Sequence, residues 1–117
     1  MNQNNNKIST IILIAGIIVP ILIIYGQVYY FGWFSLDDGI YIVYNKYVIQ
    51  GFVLDSIKWA WQYFDNPYYM PLTRLSFLMD SSIYGINPKG FHITNLLLHS
   101  LNSILVFYFF WINCIKF

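Results

Sequence analysis

Polar and apolar positions divide the chain into four stretches. Residues 1–7 form an Asn-rich polar tail closed by Lys7. Residues 8–31 carry no formal charge, and as a helix they would extend about 36 Å at 1.5 Å per residue, enough to cross a bilayer with some tilt. The pattern therefore predicts a first transmembrane helix over 8–31. Gly16 and Pro20 do not oppose it, because neighbouring groups in membrane helices re-satisfy the backbone. The run exceeds a signal-peptide core and no small-x-small cleavage site follows, so a retained anchor is expected. Tyr25, Tyr29, Tyr30, Trp33 and Phe34 place aromatic rings at its far end, where headgroups favour them. A second apolar run predicts a transmembrane helix over 92–115.

The segment between them, 32–91, is the predicted outer loop. Val53, Ile57, Ala60, Trp61 and Phe64 recur at helical spacing, predicting an amphipathic helix near 53–64. Trp59, Trp61, Tyr63 and Phe64 favour its lying along the membrane interface, with a core helix of a small loop domain as the alternative. Asn66-Pro67 ends it, since the residue before proline is pushed out of helical geometry. A second amphipathic helix is expected over 71–84, with Pro71 at its first position, Leu72, Leu75, Leu78, Met79 and Ile83 as its stripe, and Gly85 as its stop. Asn87-Pro88-Lys89-Gly90 then reads as a turn.

The second apolar run is not evenly apolar. His92, Asn95, His99 and Asn102 fall within an arc of about 80° on a helix. Lipid cannot satisfy such groups, so this packing stripe asks for further transmembrane helices, from a partner or by self-association. The fold class expected is thus an all-α membrane protein: two transmembrane helices joined by an outer loop with short amphipathic interfacial helices.

Composition agrees. Of the 117 residues, 58% are hydrophobic and 9% charged, far from the soluble average. The net charge of +1 offers no field for nucleic acid, so none is expected as a partner. Cys114, the single cysteine, cannot form an internal disulfide. All five acids lie in the loop with Lys46, Lys58, Arg74 and Lys89, whereas Lys7 and Lys116 flank the outer ends. That distribution favours cytoplasmic termini and a loop 32–91 outside, in a multi-pass protein of the cell or inner membrane.

Few groups can carry chemistry. Asp37 and Asp38 follow the first apolar run directly, and being adjacent they diverge by about 100° on a helix, so one can face a site while the other caps or meets solvent. From the residues alone, a charged edge marking the end of the membrane helix is the favoured reading. Arg74 sits in the first turn of its helix, where a phosphate or carboxylate would relieve its conflict with the helix dipole. Snorkelling to headgroups or pairing with a loop acid are the alternatives. His92 and His99 are about 10.5 Å apart along a helix, too far to share one metal ion without other ligands. Gly-rich phosphate loops, Cys-x-x-Cys, Gly-x-Ser-x-Gly and EF-hand patterns are absent from the sequence.

The order of motifs adds a resemblance. Asp37-Asp38-x-x-Tyr41-x-x-x-Asn45 is followed by Trp59-Ala60, then Tyr68-Tyr69-x-Pro71-Leu72-Thr73-Arg74-Leu75-Ser76-Phe77. Next comes Tyr84-Gly85-Ile86-Asn87-Pro88-x-Gly90-Phe91-His92-x-x-Asn95-Leu96-x-x-His99-x-x-Asn102. The series, over roughly residues 8–117, resembles the N-terminal part of GT-C fold membrane glycosyltransferases of the protein O-mannosyltransferase type, especially relatives with C-terminal tetratricopeptide repeats. The resemblance implies transfer of a sugar from a polyprenyl-phosphate carrier to an acceptor hydroxyl, on protein Ser/Thr or a glycan, at the non-cytoplasmic face. It implies Asp37 as general base with Asp38 supporting, Arg74 on the phosphate, and membrane lipid and the lipid-linked sugar as partners. No cofactor is fixed by it, and a divalent metal stays open. The sequence departs from the pattern at Met70, where many relatives carry Arg or His, and it lacks the repeats and the later membrane helices. A fragment inactive alone is therefore expected. The competing expectations are a non-enzymatic two-span membrane protein that packs with partner membrane proteins, and a short membrane-active protein.

Overall fold

The computed structural model describes residues 3–34, 36–62 and 68–115. Within them all regular structure is helical. Two compact units emerge: Met1–Tyr29 with Asn95–Phe117, and Tyr30–Thr94.

The first unit contains α1 (Gln3–Tyr25), a 3-10 turn over Gly26–Tyr30, and most of α6 (Pro88–Ile115). Ser9–Tyr30 and Pro88–Asn113, of 22 and 26 residues, are long and apolar enough to cross a membrane. At 1.5 Å per residue they measure about 33 and 39 Å, against a hydrocarbon core of about 30 Å. Polar groups in these helices fold back onto their own backbone. Ser100 and Ser103 Oγ donate to Leu96 O and His99 O, both at 2.9 Å, and Asn113 Nδ2 donates to Phe109 O at 2.6 Å. Such bonds satisfy side-chain donors from within the helix itself.

The second unit is a knot of short helices. α2 (Leu36–Asp38) runs into a π-helical turn over Gly39–Val43, closed by Tyr44 N donating to Gly39 O at 2.9 Å. Asn45 then caps α3 (Lys46–Gln50), its Oδ1 accepting from Tyr47 N and Val48 N at 3.0 and 3.4 Å. α4 (Leu54–Ala60) and α5 (Pro71–Tyr84) follow, and α3 and α4 both pack on α5. Pro71 occupies the first turn of α5 and Gly85, at φ 66°, caps its end. The core comprises Ile42, Val48, Trp59, Ala60, Leu78 and Phe91.

Three local expectations change. The turn expected over 87–90 is the start of α6: Asn87 Oδ1 accepts from Lys89 N at 3.1 Å and Pro88 takes the first position, where its missing N–H costs nothing. α4 buries Ser56, Trp59 and Ala60, leaving Val53 and Trp61 exposed. Ser56 turns inward because its Oγ donates to Tyr47 O at 2.9 Å. Phe64 of that stripe, the interfacial Tyr63 and the Asn66-Pro67 stop lie outside the described residues. On α5, Leu78 is buried but Leu72, Met79 and Ile83 are exposed, while Arg74, Asp80 and Ser81 go inside.

Gly51 fixes the join between α3 and α4. Its φ of 77° suits glycine, and a Cβ there would lie 2.6 Å from Ser82 Oγ. That hydroxyl accepts from Phe52 N at 2.6 Å and donates to Leu78 O at 2.8 Å, so the turn is latched to α5. Gly85 has similar backbone angles but open space for a Cβ. Gly51→Ala is therefore expected to destabilise by about 2–3 kcal/mol, strain plus lost latch, and Gly85→Ala by strain alone, about 1 kcal/mol. Thermal unfolding in maltoside micelles, followed by circular dichroism, checks the order; equal losses would remove the latch.

Candidate functional site

The acidic pair is divided by its helical setting. Asp38 reaches back along the chain, its Oδ2 accepting from Phe34 N at 2.8 Å, so the carboxylate closes the approach to α2 in the manner of a capping box. Asp37, one position earlier, is exposed. The two carboxylates thus differ in surroundings: one fixes backbone, the other lies at the surface.

Arg74 lies in the core. It is 2% exposed, so its guanidinium neither snorkels nor reaches solvent. Nη1 donates to Trp59 O at 3.3 Å and Gln62 O at 2.7 Å, the last carbonyls of α4 and its exit, where a cation suits the helix dipole. The guanidinium carbon stands 4.9 Å above the Trp59 ring. Tyr47 stacks on Trp59 at 5.0 Å with 16° between planes, and Lys46 Nζ lies 4.8 Å from the Tyr47 centroid. A column results: ammonium, phenol, indole, guanidinium. Each cation–ring contact contributes about 0.5–2 kcal/mol. Among the described residues, Arg74 Nε and Nη2 are buried without a hydrogen-bond partner. That free edge is the geometry that grips a carboxylate or phosphate with two bonds.

The predicted stripe on α6 is split between units. His92 ring nitrogen lies 3.4 Å from Gly32 O, in the unit where Trp33 meets Phe91 edge-on at 5.2 Å. In the other unit His99 meets Tyr25 edge-on at 5.1 Å, and Asn95 and Asn102 are exposed. Among the described residues no cluster of three or more His, Cys, Asp or Glu is placed to hold a metal ion.

Sequence reasoning missed Asp80. It is buried on α5, and Thr94 Oγ1 on α6 donates to its Oδ1 at 2.6 Å, joining the end of one helix to the start of the next. Burial pushes its carboxyl above the ordinary value of 3.8, and the Thr94 bond offsets part of that. The residues stand 14 apart, so no helical periodicity pairs them. The only available signal was an acid on the helix side carrying Ser81.

Compared with protein-family models, curated proteins and solved structures, the chain matches none.

A raised folded-state pKa means the fold favours the protonated carboxyl, so Asp80 contributes stability in full below about pH 3.8 that is lost as pH rises through the folded value. Asp80→Asn keeps an acceptor for Thr94 without the charge. At neutral pH the variant should melt above the wild type, and the gap should close on acidification towards the ordinary carboxylate range. A gap independent of pH would show that ionisation of Asp80 does not control stability.

Proposed function

We propose that the chain is an integral membrane protein whose loop unit supplies the base for transfer of a sugar from a polyprenyl-phosphate carrier to an acceptor hydroxyl, with Asp37 in that role. The observation carrying this reading is the division of the acidic pair. Asp37 is exposed shortly after the end of a helix of membrane-crossing length, and Asp38 accepts from Phe34 N. The order of motifs shared with protein O-mannosyltransferase-type enzymes supports the same assignment.

The chemistry is an inverting displacement. Asp37 takes the proton of the acceptor hydroxyl as its oxygen bonds the anomeric carbon; the bond from that carbon to the carrier phosphate breaks, and the phosphate leaves with the electron pair. The leaving phosphate needs a cation or donors. Arg74 is the candidate from the motif, but Nη1 already holds α4, so only Nε and Nη2 are open to such a role. Asp38 acts as a positioning residue through the backbone it holds. In this reading 8–31 and 92–115 cross the membrane, with the termini cytoplasmic.

A second reading, a non-enzymatic two-span protein that packs with partner membrane proteins, is favoured by one observation. α5 exposes Leu72, Met79 and Ile83 within an arc of about 40°, an apolar edge suited to another helix.

Two measurements decide. In membranes containing an intact relative whose first outer loop is replaced by residues 32–91 of this chain, with a labelled polyprenyl-phosphate hexose and a Ser/Thr peptide, Asp37→Asn should lower transfer at least about a hundredfold, the scale of general-base catalysis. Asp38→Asn should lower thermal stability as well. Normal transfer by Asp37→Asn in that chimera removes it from the base role, and no transfer by the unsubstituted chimera leaves the packing reading. For topology, Ile40→Cys in a Cys114→Ser background should react with an impermeant maleimide on intact cells; reaction only after lysis reverses the orientation.

A further inference from the structure

Lys46, Tyr47 and Trp59 of that column form one side of an open groove of about 340 Å³, within the roughly 300–1,000 Å³ range of small-molecule sites. Lys46, Tyr47 and Gln50 line it from α3, Asp55, Lys58 and Trp59 from α4, and Gln62 from the exit of α4. The faces of Tyr47 and Trp59 are already occupied by Lys46, by each other and by Arg74. A sugar ring therefore has no aromatic face on which to stack. What the groove offers is charge and hydrogen-bond donors: two ammonium groups and two side-chain amides.

Its one carboxylate does not cancel this. Asp55 sits 3.5 Å from Lys58 Nζ, and the two side chains are 81% and 63% exposed. An exposed pair three residues apart on a helix is weak, so Lys58 can exchange it for a stronger anion. Behind Trp59 stands the buried guanidinium of Arg74, whose charge is poorly screened in the core. The balance is three cations against one anion.

We infer that this groove binds a phosphoryl group, held by Lys46 and Lys58 with Gln50 and Gln62 donating to its oxygens. The phosphate can come from a lipid headgroup or from solution, since the unit is joined at both ends to helices of membrane-crossing length. The inference does not depend on sugar transfer: phosphate binding without transferase activity leaves it standing.

The test uses the full chain in maltoside micelles, which carry no phosphate, titrated calorimetrically with inorganic phosphate and, separately, with dihexanoylphosphatidic acid. Saturable binding of at least one probe is expected. Lys46→Gln with Lys58→Gln should weaken it at least about tenfold, and Asp55→Asn should tighten it by roughly threefold, an opposite response that a neutral ligand would not give. All three side chains are exposed or on the groove wall, so circular dichroism should show unchanged helix content. Tighter binding of the lipid probe assigns a headgroup, and equal binding of both assigns free phosphate. Absence of saturable binding by either probe, or affinities indifferent to these substitutions, overturns the proposal.

Discussion

Arg74 is a charge taken out of water, and the contacts of its Nη1 and of its face align the helices of the loop unit, while Nε and Nη2 have no hydrogen-bond partner among the described residues. An unpaired buried guanidinium would cost several kcal/mol. Here two carbonyls at the end of α4 take one nitrogen, and the Trp59 ring takes one face. Those contacts set where α4 must end relative to α5 and which way Trp59 must point. Trp59 in turn fixes Tyr47, and Tyr47 O receives Ser56, so α3 and α4 are aligned by the same chain of contacts. The latch from Phe52 N to Ser82 holds the join between them.

The three loop carboxylates described in most detail illustrate how local setting separates residues of one type. Asp38 accepts from the Phe34 backbone N–H. Asp80 is buried against a single hydroxyl, which leaves its charge disfavoured. Asp55 is exposed beside Lys58, where solvent screens the pair. One serves chain geometry, one joins α5 to the start of α6, and one tunes the charge of a groove.

Pro71 and Gly85 bracket α5 in sequence and structure alike, because proline and glycine act on the backbone through their own dihedrals and need no partner. The two long apolar runs are legible for a similar reason: length and lack of charge are local properties. Asn87 was legible as punctuation but not as a cap, since a turn and a helix start use the same residues. The face α4 buries was legible in part: Ala60 is buried and Ile57 packs on the core as the periodicity implies. Its periodicity favoured Val53, Ile57, Ala60, Trp61 and Phe64, whereas Ser56 and Trp59 went inside on account of Tyr47 and Arg74, which lie on other helices. At the candidate site the adjacency of Asp37 and Asp38 predicted divergent roles. That Asp38 would hold the backbone depended on Phe34 N. The groove was illegible because it joins residues from two short helices that meet only in the fold.

The polarity of α5 bears on its surroundings. Arg74, Asp80 and Ser81 point inward, while Leu72, Met79 and Ile83 point outward. A helix selected for water alone would place these the other way, since each exposed large apolar side chain forgoes about 1.5–3 kcal/mol of burial. The inward polar groups are not errors of packing: Arg74 holds the end of α4, Asp80 holds Thr94 on α6, and Ser81 Oγ donates to Leu78 O of its own helix. On the membrane reading the outward stripe completes the arrangement, because acyl chains or a neighbouring membrane helix cover it without cost. A loop unit built this way is polar where it must be specific and apolar where its neighbour need only be greasy, which suits a unit tethered at both ends to apolar helices.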